Sequence, residues 1–537
     1  MGNLRWLDLL TTCAYMIAVV LIGLRFARRQ TSTETYFVAR RSIPAWAMGV
    51  SLFATLISSV TFVAYPGSAY AGDWSLLVPG VMVVLVLALV GGVIIPFYRQ
   101  AVGMSAYEYF GRRFGRLARV YAALAFSLGH FSKMGFVFYL LALTIDRMTG
   151  WGVDGLILAV GLITIFYTVV GGIEAVIWND VLQGFVLWLG ILVSLGFLLF
   201  LPPGGPAAVL GLAWRSGKMS LGDPSLDLAR PTILVLAVYG FFWYLQKYAA
   251  DQTVVQRYLV ARSDRQALRG VALGAILCVP VWTLFMLIGS CTWAFYRLTG
   301  EALPAAVSKA DQVFPHFLAT HIPPGIAGIF VASLLAAAMS TLASDLNCLA
   351  VVGVEDFYRV LRPQAGDRRR LMVGRIIVGV CGTVAVVMAL VLARTQGSAL
   401  SLWYTISAIV AGGLAGLFLL AFLSPRAHAR GVWAGIAATI AFSAWATLTY
   451  GKQRMLDLGP WNYPWHDYTI GAVSHLVMLA VGYAAGRLIP PGGAPEPSWE
   501  RATLWGWLRA RREATPVAAA GRDVRPDQSE RSQICES

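Results

Sequence analysis

The chain has few charged residues, and this scarcity excludes an ordinary water-soluble enzyme. Only 13% of its 537 residues are Asp, Glu, Lys or Arg, whereas 58% are apolar. Soluble globular domains carry about 25% charged and about 45–50% apolar residues. Windows of about 20 apolar residues recur along the sequence, as in polytopic helical membrane proteins. The composition therefore predicts an all-α membrane protein that has the lipid bilayer as its partner.

Cysteine and histidine are too few and too scattered to form a disulfide framework or a zinc site. The chain has six of each, and its cysteines form no C-x-x-C pair. The sequence also shows no Walker loop, kinase signature or cluster of His, acid or Ser/Lys at one face. We therefore expect a protein that is not an enzyme and that has no organic cofactor.

Thirteen apolar segments are predicted to cross the membrane. They cover residues 5–27, 44–71, 76–98, 117–146, 153–172, 178–201, 232–250, 270–297, 324–349, 373–393, 400–423, 431–450 and 468–488. An odd number of spans places the two termini on opposite sides of the bilayer.

Lysine and arginine are distributed unequally between the two sides of this predicted membrane. Thirty of them lie in one set of segments and ten in the other. The basic set comprises residues 25–41, 99–119, 257–269, 359–375 and 426–430 and the tail from 487. Cytoplasmic loops carry the excess of positive charge, so we predict a plasma-membrane protein with its amino terminus outside and its carboxyl terminus in the cytoplasm. The net charge of +15 then reflects topology, and no nucleic-acid partner is expected.

The second span contains an unusual cluster of hydroxyl groups. These side chains and the Pro-Gly pair that follows them are Thr55, Ser58, Ser59, Thr61 and Pro66-Gly67. Proline removes a backbone donor, and a helix broken within the membrane frees carbonyls that can coordinate a cation. A kinked helix whose hydroxyls bond to its own backbone is the alternative.

The ninth span contains a second hydroxyl cluster, formed by Ser340, Thr341 and Ser344 within about one turn. Hard oxygen ligands without an anionic cage suit a monovalent cation such as sodium. Close helix packing through small residues is the alternative. Asp345, which follows this cluster, is expected near the cytoplasmic end, facing water.

Three further charged positions stand out because charges inside a bilayer are costly. Lys133 lies about 20 Å or more from either end of the fourth span, so it must face a polar cavity, pair with an anion or lose its proton. Asp180 lies in the first turn of the sixth span. Three roles are open for it: a favourable interaction with the helix dipole, ligation of a cation, or transfer of a proton. The segment from Asp251 to Arg257, after the seventh span, indicates a cytoplasmic gate or a structural ion network.

Four segments together resemble the sodium:solute symporter family, which includes sodium/glucose, sodium/iodide, sodium/monocarboxylate and bacterial sodium/sialic acid transporters. The resemblance covers about residues 45–425 and lies in the segments Ala54–Thr61, Tyr167–Gln183, Asp251–Tyr258 and Leu335–Asn347, the last followed by Glu355–Tyr358. These segments occur in the family's order and on the matching spans.

The resemblance implies a five-plus-five inverted-repeat transporter core of the LeuT type. The expected divisions are an extra helix and basic loop (1–43), the first repeat (44–201), the second repeat (202–425), two peripheral helices (426–488) and a cytoplasmic basic tail (489–537). The first repeat contains spans two to six, and the second contains spans seven to eleven.

The resemblance also implies specific ligands. Sodium is expected to bind the carbonyls of Ala54, Ile57 and Ala337 and the hydroxyls of Ser340 and Thr341. A second cation site in some members matches Asp180, Ser340 and Ser344, although Ala343 lacks a hydroxyl that the sialic acid transporters supply. Substrate positions match Ser58, Thr61 and Lys133, and Tyr244 and Tyr248 are candidate gate residues.

The implied function is sodium-coupled symport of a small organic solute by alternating access, with sodium as the coupling ion. Sugar transporters typically have an amide at the position of Lys133 and a glutamine at that of Thr61, and this sequence has neither. We therefore expect an organic anion such as a sugar acid or carboxylate. A sugar or amino acid symporter and a transporter-like membrane sensor are the alternatives, and no obligate protein partner is expected.

Overall fold

Helices make up the fold of the residues that the computed structural model describes, which are 6–305, 307–394, 405–406, 409–451, 454–491 and 502–513. Within these ranges there is no strand beyond one bridge between Ile43 and Ala261. The predicted all-α fold class is confirmed.

The helices have the following bounds. In chain order they are α1 (Trp6–Ala27), α2 (Thr33–Val38), α3 (Ala45–Leu56), α4 (Ser59–Ala71), α5 (Leu77–Val86), α6 (Gly92–Ala101), α7 (Tyr107–Phe114), α8 (Arg116–Thr149), α9 (Val153–Phe200), α10 (Gly205–Arg215), α11 (Ile233–Ala250), α12 (Gln252–Val260), α13 (Asp264–Thr299), α14 (Val313–His321), α15 (Ile326–Val352), α16 (Arg359–Leu361), α17 (Asp367–Arg394), α18 (Leu414–Leu423), α19 (Ala429–Thr449), α20 (Tyr468–Leu488) and α21 (Leu504–Glu513). Single π-helical segments join α5 to α6 and α15 to α16.

Ten described helices are long and apolar enough to cross a membrane, or eleven if the bent pair α3 and α4 counts as one span. The chain is therefore a multi-pass membrane protein. The count of thirteen spans stays a prediction, because two of the spans fall within α9 and residues 400–404 and 407–408 of another lie outside the described residues.

Helix α9 is interrupted at Gly172, whose φ of 56° and ψ of −159° are not helical. Its 48 residues would otherwise extend about 70 Å, more than twice the bilayer's hydrocarbon thickness of about 30 Å. A Cβ atom at Gly172 would lie 2.8 Å from the carbonyl oxygen of Tyr36. The Tyr36 hydroxyl donates to the carbonyls of Thr168 and Val169 just before the break, so it satisfies acceptors there.

Helix α15 forms the centre of the bundle. Every residue from Phe330 to Val352 is buried, because the helix is surrounded by α1, α3, α8 and α9. Its hydroxyl cluster therefore faces other helices and not lipid.

Two helices are broken at positions that begin the two predicted repeats. Helices α3 and α4 meet at 60°, and α11 passes into α12 at Asp251, whose side chain accepts the backbone N–H of Thr253 as an N-cap. All nine residues of α12 are buried, including Arg257. The sequence places Arg257 in a basic loop, and this assignment is wrong because the segment is a second half-helix inside the bundle.

One short helix of the predicted tail, α21, packs on the protein. The indole N–H of Trp507 donates to Gln100 at 2.7 Å, and its ring meets Phe97 edge-on at 6.3 Å. The indole of Trp505 donates to the carbonyl of Leu423.

Candidate functional site

The break between α3 and α4 exposes backbone groups in the middle of the bundle. Ile57 (φ −94°, ψ 113°) and Ser58 (φ −108°, ψ 169°) are extended between the two half-helices. Carbonyls in the last turn of a helix have no partner within the helix, so the last turn of α3 offers acceptors to its neighbours.

Two hydroxyls of α15 meet these acceptors. Ser340 Oγ lies 2.9 Å from the carbonyl oxygen of Ala54, and Thr341 Oγ1 lies 3.2 Å from that of Thr55. Both hydroxyls also lie 3.3 Å from the carbonyl of Ala337. Thr55 is 6% exposed, and the other four residues are at most 2% exposed. We call this cluster of three carbonyls and two hydroxyls the oxygen cluster.

The oxygen cluster contains four of the five residues that the sequence predicts as sodium ligands. Ile57 lies in the adjoining break and is fully buried, while the carbonyl of Thr55 is present in addition to the predicted ligands. Neutral, hard oxygens fit a monovalent cation, so the residues present suit sodium.

A buried arginine lies beside the oxygen cluster. Nη2 of Arg257 contacts oxygens from three different helices: Ser51 Oγ (3.3 Å), Thr55 Oγ1 (2.9 Å), Asp180 Oδ2 (3.2 Å) and Ser344 Oγ (2.5 Å). Neither Arg257 nor Asp180 has any exposed side-chain surface. Asp180 also accepts a 2.6 Å bond from Ser51.

Arg257 contacts two of the three residues of the predicted second cation site. Asp180 and Ser344, two of its three residues, share the guanidinium of Arg257, whereas Ser340 bonds within the oxygen cluster. Thr55 belongs to both groups, because its carbonyl faces Thr341 and its hydroxyl faces Arg257. A protein cation therefore lies among these residues.

Lys133 pairs with a carboxylate from α15. Its Nζ lies 2.9 Å and 2.8 Å from the two oxygens of Asp345. Asp345 is fully buried, whereas the Lys133 side chain is 34% exposed. The expectation that Asp345 faces water is wrong, because the aspartate points into the bundle toward α8.

The pair is part of a longer chain of charges that includes Asp251, where the sequence indicates a gate or an ion network, and His130, whose place in it was not predicted. His130 lies between Asp345 (Nδ1, 2.8 Å) and Asp251 (Nε2, 3.2 Å). Asp251 is also bonded to Lys247 at 2.5 Å. The available signals were the i, i+3 spacing of His130 and Lys133 and the i, i+4 spacing of Lys247 and Asp251.

These charges border a cavity of about 340 Å³. It is lined by α8, α11, Asp251 and two residues near the start of α18, and its walls include Lys133, His130, Lys247, Trp243 and Phe136. We call it the charged cavity. Ser58 and Thr61, the other predicted substrate residues, lie on and just before α4, which does not line it. The three predicted substrate residues therefore lie in two places: Lys133 borders the charged cavity, whereas Ser58 and Thr61 lie at α4.

The two predicted gate tyrosines are buried on α11. Tyr244 packs against Trp282 with ring centres 6.0 Å apart. The hydroxyl of Tyr248 has no hydrogen-bond partner among the described residues. The backbone carbonyl of Tyr248 accepts a 3.0 Å hydrogen bond from the hydroxyl of Tyr258 on α12. This bond spans the break at Asp251.

The chain is similar to sodium-coupled transporters along most of its length. The model of the sodium:solute symporter family matches residues 36–438. The sodium/sialic acid symporter of Aliivibrio fischeri is 31% identical over 486 residues, which cover 90% of this chain and 92% of that protein. The sodium/sialic acid symporter of Proteus mirabilis is 32% identical over 431 residues, which cover 79% and 86%.

A solved structure has the same arrangement of helices. It is the substrate-bound, outward-open state of a Na⁺-coupled sialic acid symporter, with a TM-score of 0.83 and 29% identity over 90% of this chain and 98% of that chain. The predicted five-plus-five inverted-repeat core is thereby confirmed.

Proposed function

Because the chain belongs to the sodium:solute symporter family, we propose that it imports a small organic anion together with sodium. The observation that carries the proposal is the oxygen cluster, in which carbonyls from a broken helix meet Ser340 and Thr341. Sodium binding there would join α3 to α15 and favour one arrangement of the two helices, as alternating access requires.

The proposed solute is an anion because two lysines and a histidine border the charged cavity, against one carboxylate, Asp251. Lys133 is partly exposed and lines that cavity with Lys247 and His130. The matched relatives named for sialic acid support the same class. The proposed sodium ligands are Ala54, Ile57, Ala337, Ser340 and Thr341; Ser58, Thr61 and Lys133 are proposed to contact the solute as it moves through, with Tyr244 and Tyr248 as gate residues.

The proposed location is the plasma membrane, with the amino terminus outside and the basic segments in the cytoplasm. Sodium and a monovalent anion moving together carry no net charge. The sodium concentration gradient alone then drives accumulation, and the membrane potential contributes only if another cation moves as well.

The test is uptake into proteoliposomes under an inward sodium gradient. Radiolabelled sialic acid, gluconate, lactate and glucose are supplied in turn, with potassium replacing sodium as the control. We expect sodium-dependent uptake of at least one acid and no comparable uptake of glucose. Uptake of an acid that is equally fast in potassium would contradict sodium coupling, and uptake of glucose alone would contradict the anion class.

A further inference from the structure

A cavity of about 780 Å³ lies between the segment that follows α1 and the start of α17. Gln30 and Thr31 form one side of it, and the first turns of α17 form the other, where Arg368, Arg369 and Arg375 line it. The cavity shares no lining residue with the charged cavity and contains no residue of the oxygen cluster. We call it the basic cavity.

The basic cavity has an unbalanced charge. No carboxylate lines it, and none of its three arginines forms an ion pair within the part of the chain that the structure describes. Asp367, which precedes Arg368 in the chain, instead accepts hydrogen bonds from the backbone N–H and the hydroxyl of Thr33. Guanidinium groups bind phosphate oxygens through a bidentate fork, so three of them around one cavity favour a phosphate ester as the ligand.

Arg375 is fixed in the cavity wall by contacts that include no carboxylate. Its Nη2 donates a 3.0 Å hydrogen bond to the backbone carbonyl of Gln30, and its guanidinium carbon lies 5.7 Å from the ring centre of Tyr36. Its buried Nε has no hydrogen-bond partner among the described residues. A guanidinium has five N–H donors, so Arg375 keeps donors for a ligand while the protein sets its position.

The basic cavity lies at one end of α1 and α17, two helices that are long and apolar enough to cross a membrane. Met372 lines the cavity and is 54% exposed, and Ile376, about one turn further along α17, is 55% exposed. Exposed apolar side chains next to a basic cavity suit the level at which lipid headgroups meet acyl chains. The predicted topology puts this end at the cytoplasmic leaflet, where basic pockets between membrane helices bind anionic headgroups.

We propose that the basic cavity binds the phosphate group of an anionic phospholipid, with Arg368, Arg369 and Arg375 as its ligands. Soluble phosphate esters share this chemistry, but they have no acyl chain to cover the exposed Met372. A bound headgroup would strengthen the link between α17 and the segment after α1, which Arg375 already joins by its bond to Gln30. The inference goes beyond the proposed function, since it concerns no residue of the sodium or solute sites.

The test measures lipid binding to the delipidated full-length protein in detergent by native mass spectrometry. Phosphatidylglycerol, which is anionic, is compared with phosphatidylcholine, which has no net charge, and with soluble glycerol 3-phosphate. We expect phosphatidylglycerol to bind at least about tenfold more tightly than either of them. Equal binding of the two lipids would overturn the requirement for an anionic headgroup. Glycerol 3-phosphate that binds as tightly as phosphatidylglycerol would overturn the assignment to a lipid.

A pair of double variants assigns the binding to this cavity. Arg368→Gln with Arg369→Gln removes two exposed charges, so the fold should persist while the affinity for phosphatidylglycerol falls at least about tenfold. Arg265→Gln with Arg269→Gln is the matched control, because these two arginines are also exposed and also lie in the first turns of a membrane-crossing helix, α13. Equal affinity in the two double variants would overturn the site.

The rise in unfolding temperature that a bound lipid produces is a second readout. Phosphatidylglycerol should raise this temperature in the wild type and less in Arg375→Gln, which keeps a donor for the carbonyl of Gln30 but loses the charge. An equal rise in the two proteins would contradict the proposal. Neither measurement involves transport, so a failure of lipid binding and a failure of sodium-coupled uptake are distinguishable.

Discussion

The hydroxyl of Ser340 donates a 2.9 Å hydrogen bond to the carbonyl of Ala54, although the two residues are 286 positions apart in the chain. The acceptor belongs to the last turn of α3, where the helix breaks, and the donor belongs to the buried part of α15. A site built between a broken helix and a buried helix opens or closes when either helix moves. A bound ion can therefore favour one conformation of the transporter over the other.

Removing one hydroxyl from the oxygen cluster should weaken sodium binding. In Thr341→Ala, the sodium concentration for half-maximal uptake should rise at least about fivefold, since a lost ligand hydroxyl costs about 1–3 kcal/mol. Ser333→Ala is the matched control, because Ser333 is on the same helix but bonds to Val186 and Ile329. Equal sodium dependence in the two variants would remove Thr341 from the site.

Arg257 and Asp180 should stabilise the protein only as a pair. Arg257→Met leaves a buried carboxylate without its cation, which costs about 3–5 kcal/mol, so the unfolding temperature in detergent should fall sharply. Adding Asp180→Asn to this variant should recover part of the loss, because the uncompensated charge is gone. Additive losses in the double-mutant cycle would mean that the two side chains act independently.

Lys133 should matter for its charge. Lys133→Ala should lower anion uptake at least about tenfold, the equivalent of 1.4 kcal/mol, whereas Lys133→Arg should retain part of it with altered geometry. Arg230→Ala, in an exposed loop with 68% of the side chain accessible, is the control for general charge effects. Uptake of the anion that is unchanged in Lys133→Ala would contradict the role of this residue.

Gly172 should tolerate no side chain. Its φ and ψ angles lie close to a region of the Ramachandran plot that only glycine adopts readily, and other residues there cost about 1–3 kcal/mol of folding free energy. A Cβ atom would also meet the carbonyl of Tyr36. Gly172→Ala should therefore lower the unfolding temperature, while Gly196→Ala in the same helix, where a Cβ meets nothing within 4 Å, should not. Equal stability would show that α9 can straighten.

The sequence was sufficient for features that are local along the chain. Hydroxyls within one turn of a single span, such as Ser340 and Thr341, share a helix face by periodicity alone. Their meeting with the break near Ala54 was implied by the resemblance to the sodium:solute symporter family, since these residues lie far apart in the chain. The apolar lengths likewise predicted most helix bounds within a few residues.

Features that depend on partners far apart in the chain were missed. Asp345 lies 212 residues from Lys133, and its position near a predicted span end suggested water. Arg257 resembled a loop charge because the half-helix α12 is rich in polar residues. No proline or glycine marks the break at Asp251, so only the N-cap aspartate could have indicated it.

Sodium coupling itself is tested most directly by the reverse experiment, in which the solute drives the ion. Proteoliposomes are given equal sodium on both sides, a trace of ²²Na⁺ outside and an inward gradient of the acid identified in the uptake panel. We predict a transient accumulation of ²²Na⁺ that requires the acid and is strongly reduced in Thr341→Ala. Transport of the acid with no accompanying ²²Na⁺ entry would contradict the account.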